Sequence, residues 1–136
     1  MKDNGQERPL VLVVEDEQAT LDSMAAVLAE AELACCCCAT ADEAVAAAAT
    51  NPPDLIVCDL NVHGESGEKM CERIRLHPGL EDVPVMFLSS TQRPDIIRRS
   101  LTLGHGAYSL RKPFAPGVLV ELIDQTLGTP ESISAS

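Results

Sequence analysis

Five short apolar runs alternate with five stretches of helical periodicity, and this alternation restricts the fold more than any other feature of the chain. The runs are Pro9 to Val14, Ala34 to Ala39, Leu55 to Cys58, Val83 to Leu88 and Tyr108 to Arg111. Thr20 to Ala31 follows the first, with Leu21, Met24, Ala25 and Leu28 at helical spacing. Thr40 opens the next helix as an N-cap with Glu43 three residues on, and Asn51-Pro52-Pro53 stops it. Gly67 precedes a third helix that runs to roughly Leu76, ended by His77-Pro78-Gly79. The fourth spans Asp95 to Leu103 before Gly104, and the fifth Pro116 to Leu127. A (βα)5 chain closes into a doubly wound five-stranded parallel sheet, an α/β fold with helices on both faces. The core suits this class, being built from Val, Leu, Ile and Ala, with only Phe87, Tyr108 and Phe114 as aromatics. The 136 residues fit one domain over 9–127, with tails at 1–8 and 128–136.

In open sheets of this kind, functional groups collect at the carboxyl ends of the strands. The residues there are Glu15, Asp16, Asp59, Ser89 and Lys112. Three carboxylates in one crevice are unfavourable without a cation, since two unit charges about 4 Å apart repel by about 4 kcal/mol at an effective dielectric of 20. The ligands on offer are oxygens, which favours a hard cation such as Mg²⁺, with Mn²⁺ as a substitute. Magnesium commonly takes one or two carboxylates together with a phosphate oxygen. Asp59 is the natural nucleophile, because a carboxylate oxygen can form an acyl phosphate. Ser89 and Lys112 supply a hydroxyl and a positive charge for phosphoryl oxygens.

These residues carry a resemblance. Val13-Val14-Glu15-Asp16, Asp59-Leu60 through Gly67, Val85 to Ser89 and Lys112-Pro113-Phe114, in this order, resemble the receiver domains of two-component response regulators, from about Pro9 to Leu127. The resemblance implies a flavodoxin-like receiver fold with strand order 2-1-3-4-5. It implies that Asp59 accepts a phosphoryl group from a histidine kinase or histidine phosphotransfer protein. Glu15, Asp16, Asp59 and the backbone carbonyl of Asn61 would hold Mg²⁺. Ser89 would fill the switch hydroxyl position, Lys112 would contact the phosphoryl group, and the Lys112-Pro113 bond would be cis.

The sequence departs from the family pattern at several places. The acid pair is Glu15-Asp16, where two aspartates are commoner, so the longer Glu15 is expected to hold the metal less tightly or through water. Glu17 reads as an exposed residue opening the loop. His63 stands where proline is usual, and reads as a solvated loop residue. Ser109 occupies the usual place of the switch aromatic and Tyr108 lies one residue earlier. Either a bulge re-aims Tyr108 or the hydroxyl–aromatic coupling is absent.

Composition removes several function classes. The net charge of −11 argues against nonspecific nucleic-acid binding. No apolar stretch is long enough to span a bilayer, and Met1 to Arg8 lacks the apolar run of a signal peptide, so a cytoplasmic location is expected. Cys35 to Cys38 are expected to be four small buried hydrophobes, since adjacent thiols on a strand alternate in direction and cannot all converge on one metal. Arg93, Arg98, Arg99 and Arg111 form a basic cluster where the family's fourth helix, fifth strand and fifth helix make an output face. Either that face meets an acidic partner, a downstream protein or output domain, or a second copy of the chain, or the arginines simply line a solvated helix face. Only nine residues follow Leu127, so no output module is expected here, whether the chain stands alone or belongs to a longer regulator. An aspartyl-phosphate phosphatase would need a second acid shortly after the nucleophile, and Leu60-Asn61-Val62 lacks one. The full set of site residues argues against a receiver fold used only as a constitutive binding module. The expectation is a phospho-acceptor switch with at most slow self-dephosphorylation.

Overall fold

A computed structural model describes residues 8–62, 64–89, 107–111 and 114–127. The helix expected over Asp95 to Leu103, together with His63, His105, Lys112 and the arginines of its basic cluster up to Arg99, lies outside the described residues. The elements are β1 (Leu10–Val14), α1 (Gln18–Glu30), β2 (Ala34–Cys38), α2 (Ala41–Thr50), β3 (Leu55–Asp59), β4 (Asn61–Val62), β5 (Glu65–Ser66), α3 (Gly67–Arg75), β6 (Val85–Ser89), β7 (Ala107–Arg111) and α4 (Pro116–Leu127). The main sheet has the order β2-β1-β3-β6-β7, and all its pairings are parallel. Once the short antiparallel β4–β5 hairpin is set aside, this is the expected 2-1-3-4-5 order.

Alternation along the central strands divides the core into two layers. Leu12, Val14, Ile56, Cys58, Val85 and Phe87 face Ala41, Ala44 and Ala48 of α2 and Met70, Cys71 and Ile74 of α3. Val11, Val13, Leu55, Val57, Met86 and Leu88 face Leu21, Met24 and Leu28 of α1 and Leu119 and Ile123 of α4. Because both faces are covered, β1 and β3 read as unbroken apolar runs instead of alternating ones.

Local chemistry sets the helix ends. Thr40 caps α2 by accepting a hydrogen bond from the Glu43 amide at 3.1 Å, while Glu43 reaches back to the Ala39 amide at 2.9 Å. The reciprocal pair expected at Thr40 is therefore present, shifted by one residue at the backbone donor. Ser66 caps α3 in the same way, accepting from the amides of Glu68 and Lys69.

The four consecutive cysteines depart from expectation. Only Cys38 is buried, Cys35 and Cys36 are half-buried, and Cys37 is exposed. The reason is position in the sheet: β2 is an edge strand, so only one flank is covered by a neighbouring strand.

Candidate functional site: an acidic cluster at the strand ends

β1 and β3 run parallel with Val14 opposite Cys58, so the residues that follow emerge at one end of the sheet. Glu15 and Asp16 come after β1, and Asp59 closes β3. One carboxylate oxygen from each of Glu15, Asp16 and Asp59 lies within 4.8 Å of the others. Three carboxylates this close make a region of concentrated negative charge that a hard cation would relieve. An all-oxygen donor set fits Mg²⁺.

The three acids differ in setting. Asp16 is exposed, Asp59 is half-buried, and Glu15 retains 2% exposure, which makes it the one buried charged side chain among the described residues. A backbone donor offsets part of the cost of burying the Glu15 carboxylate. Its Oε2 accepts from the Glu17 amide at 3.2 Å, at the start of α1 and hence near the positive end of that helix. Its own amide donates to the Cys38 carbonyl at 3.0 Å. Glu17 is exposed, as expected, and Thr20 donates its hydroxyl to it.

A short run of backbone contacts shapes the ground around Asp59. The Leu60 amide donates to Asp59 Oδ1 at 3.0 Å and also lies 3.2 Å from the Leu88 carbonyl. The chain then turns through the β4–β5 hairpin, where Asn61 pairs with Ser66 and Gly64 takes φ +80. The Gly67 amide closes the loop on the Leu60 carbonyl at 2.8 Å. Gly67 passes so close to Asp59 that an added Cβ would stand 2.3 Å from the Asp59 carbonyl oxygen. Arg73 of α3 holds the hairpin from behind through Glu65, and reaches Asp42 of α2 at 2.7 Å.

Asp59 stands opposite Leu88 in the sheet, and Ser89 follows as the last residue of β6, opposite Arg111. Ser89 thus sits at the same end of the sheet as the acids. Lys112 lies outside the described residues, directly after Arg111. The hairpin and the close approach at Gly67 were missed in the sequence. The available signal was a glycine at the start of a helix, eight positions after the acidic strand end.

The family described as the response regulator receiver domain matches residues 11–124. The chain belongs to that family. This receiver is 28% identical over 117 residues to the phosphate regulon transcriptional regulatory protein PhoB of Pseudomonas aeruginosa, covering 86% of the receiver and 51% of PhoB. It is 32% identical over 112 residues to the transcriptional regulatory protein CreB of Escherichia coli, covering 81% of the receiver and 47% of CreB. The receiver therefore spans about half the length of these curated relatives. A solved response-regulator structure from Chloroflexus aurantiacus superimposes with a TM-score of 0.82 at 26% identity, covering 90% of the receiver and all of that chain. The chemotaxis response regulator CheY4 of Vibrio cholerae shares the fold, with a TM-score of 0.81 at 22% identity, over 88% of the receiver and 99% of CheY4. The receiver is a component of two-component signalling, in a family of phospho-acceptor switches. No helix among the described residues is long and apolar enough to cross a membrane.

Proposed function

We propose that this receiver, folded over 9–127, accepts a phosphoryl group on Asp59 in a Mg²⁺-dependent reaction. The observation that carries the reading is the convergence of Glu15, Asp16 and Asp59 oxygens within 4.8 Å at the carboxyl end of the sheet. A histidine kinase or phosphotransfer protein is the donor. An Asp59 carboxylate oxygen forms the new O–P bond, the donor's N–P bond breaks, and the released imidazole takes up a proton. Glu15, Asp16, Asp59 and the Asn61 carbonyl would hold Mg²⁺, whose positive charge would offset that of the carboxylates and the incoming phosphoryl group. Ser89 and Lys112 read the added charge, Ser89 by hydrogen bonding and Lys112 as a cation. Phosphorylation alters the face formed by the fourth helix, last strand and last helix of the family fold, where a downstream protein, an output domain or a second copy binds. The setting is the cytoplasm, without direct contact to nucleic acid or membrane.

The test is intact mass after incubation with a small-molecule phosphodonor, with and without Mg²⁺, beside Asp59→Asn. One Mg²⁺-dependent phosphoryl adduct, absent from Asp59→Asn, is expected. Labelling that persists in Asp59→Asn would overturn the assignment of the acceptor.

A further inference from the structure

Consecutive residues of a strand point to opposite faces, so four adjacent cysteines fall into two pairs. On β2, Cys36 and Cys38 pack toward the α2–α3 layer and Cys35 toward the α1–α4 layer. Cys37 shares the face of Cys35, and their Sγ atoms lie 3.3 Å apart. Both are free thiols, Cys37 exposed and Cys35 half-buried, on the open edge of the sheet. All four thiols cannot meet at one metal, as the sequence indicated, but alternate ones do meet each other.

Two thiols at this separation can close a disulfide or share a soft cation. The geometry of the strand separates these outcomes. Residues two apart on a strand are roughly 6.6 Å apart, and side chains on one face keep about that spacing at Cβ. A disulfide needs Cβ atoms about 3.5–4.5 Å apart. Forming one would buckle β2 away from β1, with which it pairs in register from Leu10–Ala34 to Val14–Cys38. A bridging metal imposes no such strain. A two-coordinate ion holds its thiolates on nearly opposite sides, about 4.6 Å apart at a metal–sulfur length of about 2.3 Å, which side-chain rotation reaches within a Cβ spacing of roughly 6.6 Å. The number of ligands then selects the ion. Among the described residues, the one cluster of three or more metal-ligating side chains is the acidic site, so this edge offers a pair and not a zinc-type set. Cu(I) is soft, favours sulfur, and is satisfied by two thiolates.

We propose that Cys35 and Cys37 form a two-thiolate site for Cu(I), chemically distinct from the oxygen site at Asp59 and independent of its role. Binding replaces two S–H bonds by two S–Cu bonds and releases two protons to solvent, with no change in copper oxidation state.

The test titrates the reduced full chain anaerobically with Cu(I) against a chromogenic Cu(I) chelator, in excess Mg²⁺. Withdrawal of one Cu(I) per chain is expected. Cys37→Ser, at an exposed position, should weaken binding on the order of 100-fold by removing one arm of the chelate. Cys36→Ser, on the opposite face, should stay within a few-fold of the parent. Equal binding by Cys37→Ser and the parent, an equal loss in Cys36→Ser, or no withdrawal by the parent would each overturn the proposal.

Discussion

Gly67→Ala sets backbone preference directly against packing, and the two predict opposite signs. Gly67 is the first residue of α3, where alanine is favoured over glycine by up to about 1 kcal/mol on helix propensity alone. Its surroundings dictate the reverse. The new methyl would lie 2.3 Å from the Asp59 carbonyl oxygen and 3.3 Å from the Phe87 ring. The nearer atom is backbone, fixed in a strand between β1 and β6, and cannot swing aside. Relief requires the start of α3 or the end of β3 to move, and overpacking of this kind costs about 1–3 kcal/mol. Net destabilisation of about 1–2 kcal/mol follows, a fall in Tm of roughly 3–10 °C for a domain of this size. Gly117→Ala provides the internal control. It lies in the first turn of α4, and an added Cβ there meets nothing within 4 Å. That substitution should stabilise by up to about 1 kcal/mol. Urea unfolding of the three proteins, with equal m-values as a check, gives both signs. A Gly67→Ala protein as stable as the parent would refute the close approach between α3 and the Asp59 carbonyl. If the opposite signs hold, phosphoryl uptake by Gly67→Ala should also slow, since the displaced backbone carries the acceptor.

Mg²⁺ should raise the Tm of the parent, by about 2.7 kcal/mol of added stability at 100 times its Kd. Asp16→Asn should weaken Mg²⁺ binding and shrink the gain; an undiminished gain would place the ion elsewhere. Thr40→Ala removes the acceptor for the Glu43 amide and should cost about 1 kcal/mol by chemical denaturation. No loss would mean that Glu43 alone holds the start of α2. Burial, with added repulsion from neighbouring thiols, pushes Cys35 and Cys38 up to about 12 from an unfolded value of 9.0. Above pH 9 the unfolded chain loses these protons first, so their contribution to stability is complete below pH 9 and is lost as pH rises toward 12. Melting curves from pH 8 to 11 should therefore fall less steeply for Cys35→Ala/Cys38→Ala than for the parent, and identical slopes would refute the shift.

The sequence by itself determined the five strands of the main sheet and the four described helices, because hydrophobic periodicity and capping are local properties. Leu10 to Val14 could be read as a strand buried on both faces, and Thr40 with Glu43 as a helix start, from neighbouring residues alone. It also determined that Glu15, Asp16 and Asp59 stand at strand ends, since each terminates an apolar run. Only the tertiary structure decided what depends on register and on crossing of non-adjacent segments. Pairing of Val14 with Cys58 brings the three carboxylates within one ion's reach. Burial of Glu15 depends on the neighbouring strand as well: its amide donates to the Cys38 carbonyl of β2, a partner that its own position in the chain does not reveal. Phe87 and the Asp59 carbonyl come from different strands, so the need for glycine at 67 appears only once α3 is laid across them. Exposure of Cys37 follows from β2 taking the edge of the sheet, a choice of strand order that alternation along a single strand does not encode.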